Sequence, residues 1–478
     1  MNKPGHIIDN TNQFGESNIL RLMIKYSIPS IVAMLVSSTY NLINMTFIGR
    51  AVGPLGIAAI AICQPITMIQ GSINQLVCNG CAAAVAIKLG EGDKEASRGL
   101  LGSSVTFNVI VSAINVTIGI TFMEPLLKAF GASAAILPYA KQYLTIILLG
   151  QLFGHLMPMN PMIRIEGYPG KAMLTMLLST ITNLICSPTF IFVFQMGIRG
   201  AALGTFCAHV VSSTWMMVFL MGKDRVVGLR WKYCRIHFRN MLYVMSLGLP
   251  NFLMQFTQSM LSFSINKNLG TYGGDIAISA WGVTNTINNL VAQPVMGLNQ
   301  GVQPIVGYNI GAKKFGRVRQ AMIGSLAIAT VISLAGWALT RFFPSQIITF
   351  FNDDPELVAV GSRMLIVFRA MIFVVGFQQA GAAYFQFAGK PKMSVFLTLS
   401  RQVLTLLPLL WILPRFLGMS GILYAGPISD SLSTLLTAIF IFKEYRRLNK
   451  LISEQAADQD EVSAGGDYTA KKEMVSET

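Results

Sequence analysis

The chain has 478 residues, of which 53% are hydrophobic and 12% charged, with a mean hydropathy of +0.55. Soluble domains carry about 25% charged residues, so this composition excludes a soluble enzyme and indicates a polytopic membrane protein. The net charge of +15 would suit nucleic acid, but the basic residues lie along one set of loops rather than in a patch, and no nucleic-acid partner is expected.

In chain order, residues 1–24 read as a cytoplasmic N-terminal segment, polar and Asn-rich. It lacks the charged start and cleavage site of a signal peptide, so the first apolar segment is expected to stay on the mature chain. Twelve apolar windows follow, each long enough to cross a bilayer as a helix: 26–48, 55–87, 99–122, 138–161, 171–195, 200–221, 241–269, 276–311, 320–342, 360–387, 393–414 and 420–442. They group into an N-lobe of six helices (25–221), a cytoplasmic linker (222–239) and a C-lobe of six (240–443). The tail, 444–478, is polar and charged and is expected to be disordered.

Lys and Arg concentrate in alternate loops, at Lys88–Arg98, Lys223–Arg239, Lys313–Arg319 and Lys390–Lys392. That places these loops and both termini in the cytoplasm, in a plasma (cell inner) membrane. A shift of 221 residues superposes the chain on itself: Gly80 falls on Gly301, Gly90 on Gly311, Arg98 on Arg319. Because each half has an even number of spans, the repeats are parallel, and such repeats place a transport pathway between the halves.

Polar residues at membrane depth mark function. Helix seven carries Gln255, Gln258, Ser259, Ser262 and Asn266 at spacings of one, three and four; Ser37, Ser38 and Asn41 answer them on helix one. Asn288 on helix eight and Gln378 on helix ten extend the polar lining. These residues are read as a substrate cavity, with Met34, Met254, Phe153 and Phe377 nearby suiting flat, amphipathic and even neutral molecules. Asp430 is the one carboxylate near mid-span; Arg369 and Arg401 approach its depth, which reads as a structural ion pair or a protonatable coupling site. Cys78-Asn79-Gly80-Cys81 reads as small-residue packing. The four His show no metal-ligand spacing, and no nucleotide-binding or hydrolase motif is present. No enzyme activity, metal or cofactor is expected, and energy for transport has to come from an ion gradient.

Several segments resemble the multidrug and toxic compound extrusion (MATE) transporters: Tyr40-Asn41-Leu42-Ile43-Asn44-Met45-Thr46-Phe47-Ile48-Gly49, the loop Gly90–Arg98 with its repeat Gly307–Lys314, Arg164-Ile165-Glu166-Gly167-Tyr168-Pro169 and Gly197–Ala202. Pro427-Ile428-Ser429-Asp430 is similar to the MepA-like branch. The resemblance implies an all-α protein of two parallel six-helix bundles in a V. It implies export of amphipathic drugs in exchange for sodium ions or protons, with membrane lipid around it and no obligate protein partner. It also implies an N-lobe cation site built on two carboxylates. Here those positions are Asn44 and Ser187, while the assisting Asn183 and Thr205 are retained. Neither replacement titrates near neutral pH, so neither carries a proton and any sodium would be held weakly. Coupling is therefore expected to rest on weakly held sodium, to have moved to Asp430 or Glu166, or to be lost. A lipid-linked precursor flippase of the wider superfamily is the alternative; it favours a basic cavity, whereas the stripes are neutral.

Overall fold

In the computed structural model, the described residues are 11–52, 54–130, 132–222, 225–350 and 354–476; the side chains of 39–46, 48–52, 54, 57, 263, 275, 278 and 458–476 are outside the description too. Twelve long helical segments make up the chain. The N-lobe holds α1 (Ile19–Val52), α2 (Pro54–Gly90), α3 (Lys94–Thr121), α4 (Leu137–Gly154), α5 (Pro169–Pro188) and α6 (Ile198–Leu220). The C-lobe holds α7 (Phe238–Tyr272), α8 (Gly274–Gly311), α9 (Phe315–Phe342), α10 (Pro355–Phe368 and Ile372–Phe387), α11 (Pro391–Leu417, with a wide turn at Ser400–Leu406) and α12 (Met419–Ser476). Among the described residues, eight helices are long and apolar enough to cross a membrane, or ten if each of two bent pairs is one span. The remaining long helices, α7 and α8, are those that carry the amide stripes.

Two spans are broken. α4 turns by 42° into Met157–Ile165, around Pro158 and Pro161, and α10 turns by 52° between Phe368 and Ile372. Proline removes a helical N–H and opens the first break; the second contains Arg369, whose charge lies where the helix gives way.

The buried cores show how the lobes meet. At the far end, away from the Lys/Arg-rich loops, one cluster is made of N-lobe residues alone (Ala59 to Ala201) and another of C-lobe residues alone (Leu261 to Ala425). At the basic end the cores are shared: Met241, Val244 and Leu247 of α7 pack among N-lobe residues, and Leu22, Met23 and Tyr26 of α1 pack among C-lobe residues. The lobes are thus joined at the basic end and separate beyond it.

The joint depends on missing side chains and follows the repeat. A Cβ on Gly90 would sit 1.9 Å from the Tyr308 carbonyl oxygen, and one on Gly311 1.9 Å from that of Ile87; the two contacts exchange under the 221-residue shift. Gly80 against Gly248 and Gly301 against Ser27 exchange in the same way, and Gly307 meets Ala86, its own repeat counterpart, on the pseudo-two-fold axis. Glycine is what lets backbones approach this closely.

The linker is tied to the N-lobe by Glu166, whose buried carboxylate accepts the backbone N–H groups of Val226 (3.0 Å) and Val227 (2.5 Å). The tail corrects the expectation of disorder from residue 444. It continues α12, because Ile441 and Leu448, two turns apart, bury an apolar edge. Lys390 pairs with Glu444, Arg319 donates to Asn449 at 2.7 Å, and Gln455 donates to the Lys313 carbonyl at 2.9 Å. Cys78 and Cys81 pack inside the shared core.

Candidate functional site

A cavity of about 1520 Å³ lies between the lobes. It runs from Asn79 and Gln303, just above the glycine contacts, to Ile60, Ile265 and Phe350 toward the far end. The polar face of α7 lines it through Gln255, Gln258, Ser259 and Ser262, and Asn288 joins from α8. Gln378 lines it as well, although its amide N–H donates to the Leu397 carbonyl at 3.0 Å and holds α11 in place. Ser38 lines the cavity from α1, but Ser37 does not, being shorter than its repeat counterpart Gln258. Asn266 is exposed and off the lining, since the wall passes to Ile265 at that level. Of the nearby hydrophobic residues, Met34 and Met254 line the cavity; Phe153 is exposed, and Phe377 faces a separate apolar groove between α9 and α12. The side chains of Asn41 and Asn44 lie outside the described residues.

The expectation of a neutral cavity is corrected. Among the described lining residues the charged ones are Arg164, Arg369, Arg401 and Asp430, an excess of two positive charges. Arg164 sits in the broken end of α4 and is 1% exposed. Its Nε donates to the Ser30 hydroxyl at 2.9 Å, while both terminal nitrogens are buried without a hydrogen-bond partner. From sequence, Arg164 stood out as part of a motif and not as a charge at the cavity. The available signal was an arginine in an apolar run beside two prolines.

The C-lobe charges divide. Arg401 Nε donates to Asp430 Oδ1 at 2.8 Å, so the ion pair forms with Arg401. Ser429 donates to the Arg401 carbonyl at 2.7 Å and shares a 2.6 Å hydrogen bond with Thr405, fixing α12 on the wide turn of α11. Arg369 is left out of this network: it makes no hydrogen bond among the described residues, its Nε is buried without a partner, and its guanidinium lies 5.0 Å from the Phe368 ring centroid.

In the N-lobe, Asn183, Ser187 and Thr205 come together. The Ser187 hydroxyl donates to Asn183 Oδ1, and Asn183 Nδ2 donates to Thr205 Oγ1 at 3.2 Å. Gly204 makes room for this: a Cβ there would lie 2.1 Å from Ser187 Oγ. The three side chains gather oxygen ligands at one point, and none of the three titrates near neutral pH.

Two repeat-related bundles around a polar cavity closed at one end define a two-lobed membrane transporter. The MatE family model matches residues 29–189 and 250–412, one copy in each lobe. The chain belongs to the MatE family. It is 24% identical to the multidrug export protein MepA of Staphylococcus aureus over 442 residues, covering 92% of this chain and 97% of MepA. It is similar to the MATE multidrug transporter DinF-BH, solved in a drug-bound complex, with a TM-score of 0.83, 33% identity, and 88% of this chain and 95% of that one covered. An outward-facing MATE family transporter of the MOP superfamily superposes with a TM-score of 0.87 at 22% identity, over 94% of this chain and 99% of that one.

Proposed function

We propose that this protein is a secondary active exporter of amphipathic organic compounds, working by alternating access in the plasma membrane with both termini in the cytoplasm. The observation that carries this reading is the cavity between the lobes, sealed at the basic end by reciprocal glycine contacts and extending toward the other. The positive-inside rule makes the basic end cytoplasmic, so the state described here faces outward. Similarity to MepA, named a multidrug export protein, and to DinF-BH, solved with a drug bound, supports small-molecule export. Rocking the lobes about the glycine joint would close the far end and open the basic one.

The coupling ion is sodium or a proton. Asn183, Ser187 and Thr205 supply neutral oxygens that suit weakly held sodium. The Arg401–Asp430 pair offers the alternative, since protonating Asp430 would release Arg401. Glu166 is engaged by the linker and is a poorer candidate.

The test is dye movement in proteoliposomes under a sodium gradient or a pH gradient alone. Sodium-driven movement abolished by Asn183→Ala or Thr205→Ala assigns coupling to the N-lobe. Proton-driven movement abolished by Asp430→Asn assigns it to the C-lobe. Dye movement indifferent to both gradients refutes coupled export.

A further inference from the structure

The fixed charge of the cavity is opposite to what an organic cation requires. Its one carboxylate among the described lining residues, Asp430, is already held by Arg401 at 2.8 Å. Arg369 and Arg164 remain, both more than nine-tenths buried and both with nitrogens that have no hydrogen-bond partner. A buried cation without a partner is costly. The carbonyl end of Pro355–Phe368 offsets part of the Arg369 charge, but the Arg369 Nε N–H stays unpaired.

Beside Arg369 stands an aromatic wall. Trp281 and Phe368 both line the cavity, in an edge-to-face pair with ring centroids 4.8 Å apart. A guanidinium is a planar fork that matches carboxylate, sulfonate and phosphate oxygens, and aromatic faces accept a flat ring system. Resting on the export reading above, we propose that the cavity takes amphipathic organic anions: a flat apolar body against Trp281 and Phe368, with its carboxylate, sulfonate or phosphate group on Arg369. Arg164, at the closed end of the cavity, supplies a second positive charge that draws the anion inward. The Gln and Asn stripes complete the site by accommodating neutral polar groups in several orientations.

A dye series with one ring system and three charges tests this. Sulforhodamine B is anionic, rhodamine B zwitterionic and rhodamine 6G cationic, and binding to the solubilised full chain is read by fluorescence anisotropy. Sulforhodamine B is expected to bind about tenfold tighter than rhodamine 6G, the worth of one charge-assisted hydrogen bond. Arg369→Gln should remove that preference without weakening rhodamine 6G, and Arg369→Lys should keep most of it. Rhodamine 6G binding as tightly as sulforhodamine B in the unaltered chain overturns the proposal. So does equal loss of all three dyes in an Arg369→Gln protein that melts normally. If Arg369→Gln fails to fold, the dye ranking in the unaltered chain and the same comparison in Arg164→Gln decide.

Proteoliposome transport of the same dyes separates the two readings. Anion-selective binding with no transport of any dye removes the export reading and keeps the charge assignment. Gradient-driven transport that prefers rhodamine 6G does the reverse. Competition by a short-chain phosphatidic acid against a naphthalene sulfonate then tells a lipid headgroup from an aromatic solute as the source of the anion.

Discussion

Replacing Gly311 by Ala should open the basic end. The added Cβ would lie 1.9 Å from the Ile87 carbonyl oxygen and 2.9 Å from the Glu91 backbone nitrogen, where real contacts are essentially never under 3.0 Å. The obstacle is backbone on a packed helix, so no rotamer change relieves it; α2 and α8 must part by about 1 Å. Overpacking of this kind costs about 1–3 kcal/mol. The cost falls only on the state in which the two helices touch, so it shifts the equilibrium between closed and open basic ends by about 5–150-fold. Gly90→Ala, the repeat-related change, should do the same, because its Cβ meets the Tyr308 carbonyl at the same distance. Gly316→Ala is the control, with nothing within 4 Å of the added Cβ. Spin labels at the exposed, repeat-related positions Lys171 and Lys392 would report the separation of the lobes at that end. A longer distance population is expected in Gly311→Ala and Gly90→Ala and not in Gly316→Ala. An unchanged distance distribution in both would refute the view that these contacts hold the basic end shut.

Other consequences follow from single contacts. Asp430→Asn or Arg401→Gln alone should lower thermal stability by about 2–3 kcal/mol, because each leaves a largely buried charge unpaired; the double replacement should recover part of that loss, and additive losses would contradict it. Glu166→Gln removes the charge from two hydrogen bonds that hold the linker, each worth about 1.5–3 kcal/mol as a charged acceptor, and limited proteolysis between residues 222 and 239 should accelerate. Restoring acids with Asn44→Asp and Ser187→Asp should make the melting temperature rise with sodium at neutral pH, where the unaltered chain responds weakly; an equal response in both would remove the N-lobe as a cation site. On the far-end helix Met123–Ala129, Lys128 and Lys141 hold Glu124 down at about 2. A carboxylate with a depressed folded value loses its contribution only as pH falls through that value, so a carbon-13 titration of Glu124 should show no protonation between pH 7 and 4.

Much of the architecture was written in one dimension. Apolar length fixes which segments leave water, the distribution of Lys and Arg orients them, and the 221-residue repeat requires two related bundles. The polar face of α7 was legible from its spacing because a helix places residues three and four apart on one side. Gln255, Gln258 and Ser262 accordingly line the cavity.

Partnership was not legible, because it depends on which side chains approach across helices far apart in sequence. Asp430 had two candidate arginines at similar depth, and only packing of α11 on α12 chose Arg401 and left Arg369 unpaired. Arg164 read as one residue of a motif until the break in α4 carried it to the cavity. Glu166 looked available as a coupling acid until the linker's amides folded back onto it. Composition and periodicity thus determined that this chain spans a membrane as two bundles with a polar seam. The sign of the charge in that seam, and the end at which it is shut, were decided by tertiary contacts, because electrostatic pairing and glycine-to-backbone approach act over a few ångströms in space that sequence separation does not encode.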